Sequence, residues 1–230
     1  MSIILDGKIL SEEIKSQIQI EILNYKKKYN QVPTLTTILV GEDPSSKVYV
    51  KMKISACEKL GMNSRLIQLD SKTSTEELIH RIEEENLNVE VNGILLQHPV
   101  PHHIDERKAF DAIANEKDVD GVNATTFGKL AMGMECFYPC TPRGIILLLE
   151  KYEISIAGMH AVVIGRSPIL GKPMAMMLLE KDATVTICHS KTKNLSDMVR
   201  SADLIVGAVG KPEFVKSDWI KDDAILIDVG

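Results

Sequence analysis

Short apolar strands alternate with helices along the chain, and this alternation constrains the fold more than any other feature. Each apolar run is bounded by Gly, Pro or polar residues and is followed by a segment with helical periodicity. Strands are predicted at Thr34–Val40, Arg65–Leu69, Gly93–Leu96, Ala161–Ile164, Thr184–Cys188, Leu204–Val206 and Ala224–Val229. Helices are predicted over residues 11–32, 45–60, 73–87, 105–114, 143–151, 172–179 and 194–201. Such alternation predicts an α/β fold with mostly parallel sheets and helices on both faces.

The ends of three helices carry capping residues. Ser11 is the expected cap of the first helix, and Ser45 or Ser46 that of the second. Ser74 precedes the third helix, with Glu77 at the position that completes a capping box.

The chain is expected to divide into two domains. An irregular stretch from Asn115 to Pro139 interrupts the alternation, and a long loop of this kind marks a boundary or a site. We therefore predict an amino-terminal α/β domain over residues 1–139 and a Rossmann-like dinucleotide-binding domain over residues 140–230. The cleft between them is the expected active site.

A glycine-bounded turn, AVVIGRSPILGKP, follows the strand Ala161–Ile164. Gly165 ends the strand, and Gly171 lets the next helix start close to the sheet. Backbone N–H groups and the positive end of that helix are then expected to face a phosphate group. The turn also contributes the cation of Arg166 and the hydroxyl of Ser167.

The identity of the cofactor follows from the side chains near this turn. An arginine beside a dinucleotide site accommodates a ribose 2′-phosphate, whereas an acidic residue would bind a 2′-hydroxyl. Ser190 follows the next strand and could bind the same phosphate as Arg166. The prediction is therefore NADP rather than NAD, although on the turn alone a solvated Arg166 is an equally good interpretation.

Acid–base chemistry is expected upstream, where Tyr49 and Lys53 share one face of the helix KVYVKMK. A partly buried lysine near a strand end suits general acid–base catalysis, and Tyr49 could stack on a planar ligand or relay a proton. Gln97 follows the strand Gly93–Leu96 and could hydrogen-bond the lysine. On spacing alone, a helix whose Tyr49 and Lys53 face water is a competing interpretation.

Asp120, in the segment KDVDG, is a candidate for substrate recognition. Its carboxylate could accept from the amino and ring N–H groups of a heterocycle. The alternative is that Asp120 and Gly121 only form a turn.

Composition excludes several classes of partner. The net charge of −5 and the pI near 5.7 disfavour nucleic acid and anionic membranes, so a small-molecule substrate is expected. No signal peptide or membrane span is apparent, and the four cysteines lack paired spacing, which together predict a cytoplasmic protein. Zinc at Cys136 and Cys140, or a metal at His98, His102 and His103, remains a weaker alternative to the absence of metal.

The chain resembles the bifunctional methylenetetrahydrofolate dehydrogenase/cyclohydrolase family. The resemblance rests on ordered motifs along essentially the whole chain, namely VGEDPSSKVYVKMK, GILLQHPVP, KDVDGVN, PCTPRG, VVIGRSPILGKP, TVTICHSKT, ADLIVGAVGKP and ILIDVG. It implies an amino-terminal domain for a tetrahydrofolate derivative, a Rossmann-like domain for NADP, a homodimer and a role in one-carbon metabolism.

The resemblance also implies roles for individual residues. Lys53 is similar to the catalytic lysine of the cyclohydrolase step, tuned by Gln97, and Tyr49 to the residue that packs on the folate and assists the lysine. Asp120 is similar to the aspartate that holds the pterin. The same resemblance assigns 2′-phosphate selection to the arginine and serine identified above.

Two departures from the family pattern bear on these expectations. The family usually has Leu where this chain has His98, which adds a polar group near the folate site or has no effect. Family members also continue after the IDVG strand with a loop that lines the folate and nicotinamide ends. A non-catalytic remnant that binds folate or NADP is therefore one alternative, and a shikimate-type NADP oxidoreductase is another.

Overall fold

The structure is a computed structural model that describes residues 3–229. Contacts divide it into two compact units, one made of residues 6–126 and one made of residues 3–5 and 127–229. We call these the amino-terminal and carboxyl-terminal units. The domain boundary at residue 139 stays a prediction.

The amino-terminal unit is built on a three-stranded parallel sheet. Its strands are β1 (Thr34–Val40), β2 (Asn63–Leu69) and β3 (Gly93–Leu96), in the order β2-β1-β3. Its helices are α1 (Gly7–Tyr29), α2 (Pro44–Leu60), α3 (Thr75–Leu87) and α4 (Glu106–Asp111). All four residues of β3 are buried, as expected for a strand covered on both faces. The predicted bounds of β1 and β3 are confirmed.

The caps of the first two helices differ from the prediction. Asp6 caps α1 through hydrogen bonds from the amides of Lys8 and Ile9, so the helix begins before Ser11. Asp43 caps α2 by accepting from the amide of Ser46, because Pro44 supplies the first helical residue and needs no N–H acceptor there.

The third cap is confirmed. Ser74 and Glu77 form the predicted reciprocal capping box of α3. The Ser74 bonds lower the pKa of the Glu77 carboxyl below its ordinary value.

One helix was not predicted. Helix α5 (Ala124–Ala131) lies inside the stretch expected to be irregular. The Gly and Met residues that follow it, from Met132 to Met134, weaken the helical periodicity in that region of the sequence.

The carboxyl-terminal unit contains a four-stranded parallel sheet in the order β5-β4-β6-β7. The strands are β4 (His160–Ile164), β5 (Thr184–Cys188), β6 (Leu204–Gly207) and β7 (Ile225–Asp228). The helices are α6 (Cys140–Lys151), α7 (Gly171–Glu180) and α8 (Leu195–Arg200), with a short 3-10 helix at Ser217–Trp219.

Alternate residues of β4 belong to two separate apolar clusters. Ala161 and Val163 pack with residues of α6 and α7, whereas Val162 and Ile164 pack with Val199 of α8. Because successive strand residues point to opposite faces, this sheet is covered by helices on both sides, as predicted. Within residues 3–229, no helix is both long enough and apolar enough to cross a membrane.

Candidate active-site residues and cofactor-binding loop

The structure brings Lys53 and Gln97 together at the carboxyl end of the amino-terminal sheet. β1 and β3 are neighbours with Ile38 opposite Leu96, and Gln97 is the next residue after β3. The Lys53 Nζ donates a hydrogen bond of 3.1 Å to the Gln97 Oε1. Lys53 is partly buried and Gln97 is buried, so this contact is shielded from much of the solvent.

The Gln97 amide is held in one orientation by its own neighbour. Its Nε2 donates to the backbone carbonyl of His98 at 2.8 Å, and its backbone N–H donates to the carbonyl of Ile38 at 2.9 Å. With the amide nitrogen engaged in this way, the Oε1 faces Lys53. The side chain therefore acts as a fixed acceptor for the lysine.

Tyr49 lies one helical turn before Lys53 on α2 and is 56% exposed. Its ring is therefore open to solvent on the same stretch of helix as the lysine. The competing interpretation of a wholly solvated helix face holds for Tyr49 but not for Lys53.

His98 contacts a carboxylate. Its Nδ1 lies 2.6 Å from the Oε1 of Glu106 on α4, and both side chains are partly exposed. This pair ties the segment after β3 to α4. The family's usual leucine at this position could not make the same contact.

Asp120 lies in a loop that runs alongside β3. The Ile94 amide donates to the Lys117 carbonyl at 2.8 Å, and Asp118 pairs in parallel with Ile94. Because the segment runs in the same direction as β3, it carries Asp120 toward the edge where Gln97 lies. Asp120 is partly buried, and its carboxylate has no hydrogen-bond or ion-pair partner among residues 3–229.

Asp118 is a residue that the sequence reasoning missed. Its side chain is fully buried and accepts from two backbone amides of the same loop. KDVDG contains two aspartates, and only the second was considered. A signal was nevertheless present, because an aspartate that closes a glycine-containing turn commonly accepts from amides further along the chain.

The glycine-bounded turn of the carboxyl-terminal unit is closed so tightly that neither glycine tolerates a side chain. A Cβ on Gly165, whose φ is +138°, would lie 2.3 Å from the Ala208 carbonyl oxygen. A Cβ on Gly171 would lie 2.4 Å from the Gly165 carbonyl oxygen and 2.8 Å from the Arg166 nitrogen. The absence of a Cβ at both positions therefore lets the backbone segments of this turn approach each other closely.

The first amides of α7 already have acceptors. The Gly171 N–H donates to the Ser167 Oγ at 3.3 Å, and the Lys172 N–H donates to the Ser167 carbonyl at 3.0 Å. Pro173 has no N–H to offer. These helix amides are therefore engaged within the loop, and the expectation that they face a phosphate stays a prediction; the Ser167 hydroxyl hydrogen can still be donated to a ligand.

Arg166 and Ser190 lie at the same edge of their sheet. β4 and β5 are neighbours with Ile164 opposite Cys188, and each residue stands two positions beyond its strand. Both are exposed. An exposed cation and an exposed hydroxyl at one sheet edge are the kinds of group that bind a ribose 2′-phosphate.

Among the residues that the structure describes, no three His, Cys, Asp or Glu side chains lie close enough together to hold a metal ion.

Cys57 and Cys188 are buried, and burial raises the pKa of each thiol above its ordinary value. Both are therefore structural residues rather than nucleophiles.

Both halves of the sequence match one family. Residues 5–120 match the catalytic domain of tetrahydrofolate dehydrogenase/cyclohydrolase, and residues 139–230 match its NAD(P)-binding domain. The bifunctional protein FolD of Leptospira biflexa is 59% identical over 229 residues, which span 100% of this chain and 79% of that protein.

Solved structures give the same result. The bifunctional FolD methylenetetrahydrofolate dehydrogenase/cyclohydrolase of Campylobacter jejuni superposes with a TM-score of 0.95 and 43% identity, over 98% of this chain and 80% of that one. The Trypanosoma brucei enzyme, complexed with NADP cofactor and inhibitor, has a TM-score of 0.95 and 32% identity, over 100% and 79% of the two chains.

Proposed function

The chain belongs to the tetrahydrofolate dehydrogenase/cyclohydrolase family, and we propose that Lys53, Gln97, Tyr49 and Asp120 carry its chemistry. It oxidises 5,10-methylenetetrahydrofolate to 5,10-methenyltetrahydrofolate with NADP, and it hydrolyses the methenyl form to 10-formyltetrahydrofolate. The observation that carries the residue assignment is the 3.1 Å hydrogen bond between the Lys53 Nζ and the Gln97 Oε1.

Hydrolysis needs a group that moves protons. In its neutral form the Lys53 amine donates one N–H to Gln97 and keeps its lone pair for a proton from the attacking water. As the water oxygen bonds to the methenyl carbon, Lys53 takes that proton. The hydroxyl of the resulting intermediate then loses its proton to solvent and forms the formyl C=O as the bond from this carbon to N5 of the folate breaks. N5 keeps the electron pair of the broken bond and takes the proton held by Lys53, so one proton is released overall.

Gln97 holds the lysine for this step without adding a charge. A carboxylate at the same position would favour the ammonium form, which has no lone pair to accept a proton. The neutral amide oxygen instead orients the Nζ by a single hydrogen bond. Because the amide nitrogen is bound to the His98 carbonyl, that orientation is fixed before the substrate arrives.

Oxidation makes a different demand on the chain. Bound NADP supplies the hydride acceptor for the one-carbon methylene of the substrate. The protein then only has to hold two substrates in a reactive geometry, an effect that can be worth about 7–11 kcal/mol. Tyr49 packs on the folate ring in this assignment, and Asp120 accepts hydrogen bonds from the pterin amino and ring N–H groups.

The NADP site is assigned to the turn after β4 and to Ser190. Gly165 and Gly171 let the cofactor's pyrophosphate approach the backbone, and Ser167 donates its hydroxyl hydrogen. Arg166 and Ser190 hold the 2′-phosphate. Their position at one sheet edge supports this assignment, since adjacent parallel strands end there together.

The overall function is tested by mixing the purified chain with 5,10-methylenetetrahydrofolate and either NADP or NAD. Methenyl absorbance should rise with NADP and then decay as hydrolysis proceeds. A flat trace with both cofactors would instead support the alternative of a non-catalytic chain that binds folate or NADP.

Cofactor selection has its own test. Arg166→Ala should raise the KM for NADP at least tenfold while changing the KM for NAD little, because only NADP carries the 2′-phosphate. Lys172→Ala, also exposed and close in sequence, is the matched control. An equal change for both cofactors would reject the role of Arg166.

We also infer that the protein acts as a cytoplasmic homodimer that binds only small-molecule ligands. Family membership supports this assignment. Sedimentation equilibrium should give twice the chain mass of 25.5 kDa, and a single-chain mass would contradict the dimer.

A further inference from the structure

The loop that carries Asp120 is organised around a second, buried carboxylate. Asp118 has no solvent exposure. Its Oδ1 accepts from the Val122 amide at 3.1 Å, and its Oδ2 accepts from the Asn123 amide at 2.9 Å. The Gly121 amide donates to the Asp118 carbonyl at 3.1 Å, with Gly121 at a φ of +64°. Asp120 therefore stands at the tip of a turn whose two sides are tied to one side chain.

The outgoing side of this turn is fixed to α4. Arg107 donates to the Val122 carbonyl at 2.7 Å and pairs with Asp111 at 2.6 Å. The Asn123 Nδ2 donates to the carbonyls of Asp111 and Ile113, at 3.2 and 2.9 Å. The residues that follow Asp120 are therefore held in place by hydrogen bonds to α4 and to the segment just after it.

The incoming side is fixed to the end of α3. The Lys117 Nζ donates to the backbone carbonyls of Glu85, Asn86 and Asn88, at 3.0, 2.8 and 2.8 Å. These carbonyls lie at the end of a helix, where acceptors lack intrahelical partners. Burial lowers the pKa of Lys117, with the charge of Glu85 acting in the opposite direction.

Lys117, Asp118 and Asp120 thus differ in how their side chains are hydrogen-bonded. The Lys117 Nζ donates to three backbone carbonyls, and each oxygen of the Asp118 carboxylate accepts from one backbone amide. The Asp120 carboxylate, unlike that of Asp118, has no partner among residues 3–229. A rigid loop that presents a single unpaired carboxylate is the arrangement that precise hydrogen bonding to a heterocycle requires.

We propose that Asp118 is the positioning residue for Asp120 in folate recognition. This inference rests on the proposed function, since it takes Asp120 as the residue that holds the pterin. Asp118 does not touch the substrate. It fixes where the Asp120 carboxylate lies by accepting from the two amides that follow it.

The test is a double-mutant cycle on kcat/KM for 5,10-methylenetetrahydrofolate. Asp118→Asn keeps the side-chain shape but replaces one acceptor oxygen with an NH2 group, so one loop amide loses its acceptor. Displacement of Asp120 by about 1 Å lowers kcat/KM on the order of 100-fold. The same substitution in an Asp120→Asn background should have little further effect, because the group being positioned is already lost.

A general loss of stability would behave differently. It would lower kcat/KM by the same factor in both backgrounds. Gln19→Leu is the control, since it removes another side-chain hydrogen bond of the same unit, from Gln19 Nε2 to the Lys59 carbonyl at 2.7 Å, between residues that make no contact with the turn. The KM for NADP should be unchanged in every variant.

Failure of the inference can be told apart from failure of the assignment beneath it. If Asp120→Asn lowers kcat/KM but Asp118→Asn has no effect, or has the same effect in both backgrounds, the positioning role of Asp118 is overturned. If Asp120→Asn itself has no effect, the proposed folate role of Asp120 is overturned as well.

A second variant covers the case in which Asp118→Asn does not fold. Arg107→Met removes the bond to the Val122 carbonyl from a half-exposed position, so the fold should survive. It should give a smaller loss that again disappears in the Asp120→Asn background, whereas Lys108→Met on the same helix should give none. Equal activity of these two variants would overturn the proposal.

Discussion

Gly171→Ala is the perturbation whose effect follows most directly from the geometry of the cofactor loop. A Cβ at this position would lie 2.4 Å from the Gly165 carbonyl oxygen, 2.6 Å from its carbon and 2.8 Å from the Arg166 nitrogen. All three are backbone atoms, so rotation of a side chain cannot relieve the contact. The Gly165–Arg166 peptide would have to move by about 1 Å to reach ordinary contact distance.

That displacement has two measurable consequences. Overpacking of this kind costs about 1–3 kcal/mol in the free energy of unfolding, and replacing a helical glycine by alanine offsets at most about 1 kcal/mol of it. Moving Arg166, the residue proposed to hold the 2′-phosphate, by about 1 Å should lower kcat/KM at limiting NADP on the order of 100-fold. Urea unfolding and initial rates at varied NADP measure the two effects separately.

Gly144→Ala is the matched control. Gly144 lies in α6, is exposed, and a Cβ there meets no atom within 4 Å. This variant should be slightly more stable than the wild type and should have the same KM for NADP. If Gly171→Ala behaved like Gly144→Ala in both assays, the reasoning about the closed loop would be refuted.

Three further predictions concern stability and reactivity. The hydrogen bond from Lys221 is the main cause that lowers the pKa of Asp203. The ionised Asp203 carboxylate therefore stabilises the fold at pH values above 3.8, the ordinary pKa of this group. This stabilisation is lost as the pH falls through the lower pKa of the folded state. Asp203→Asn should therefore melt at a lower temperature than the wild type at pH 7, with the gap closing in acid; equal melting temperatures at pH 7 would contradict this. Cys57 and Cys188 should react with a thiol reagent only after unfolding, because both are buried and burial raises the pKa of each thiol. Rapid reaction of either thiol in the native protein would contradict this prediction. Ser74→Ala should lower the unfolding free energy by about 1 kcal/mol through loss of the α3 cap, and a change near zero by urea unfolding would show that the cap does not contribute.

Much of the fold could be predicted because the strands are apolar and clearly bounded. β1 lies between Pro33 and Gly41, and β3 begins at Gly93, so periodicity and punctuation agree there. Helix starts were less predictable, since Asp6 and Asp43 compete with nearby serines as caps. Helix α5 was missed because it spans only eight residues and the Gly and Met residues directly after it interrupt the helical periodicity.

The candidate site was predictable to the extent that it depends on strand order. Gln97 could be placed beside Lys53 because both follow neighbouring parallel strands. The sequence singled out Asp120 but did not show that the Asp118 carboxylate is buried and accepts from two amides of the same loop, since spacing does not give the direction of a side chain. The engagement of the Ser167 hydroxyl by backbone amides depends in the same way on loop geometry that only coordinates provide.

The central claim is that one chain performs two reactions and that Lys53 is needed for the hydrolysis. The most direct test supplies 5,10-methenyltetrahydrofolate to Lys53→Met and to Lys51→Met, which changes an exposed lysine of the same helix. We expect hydrolysis to fall about 100-fold or more in the first variant and to stay normal in the second. NADP-dependent oxidation, which needs no proton transfer, should persist in both. Hydrolysis at the normal rate by Lys53→Met would contradict the account.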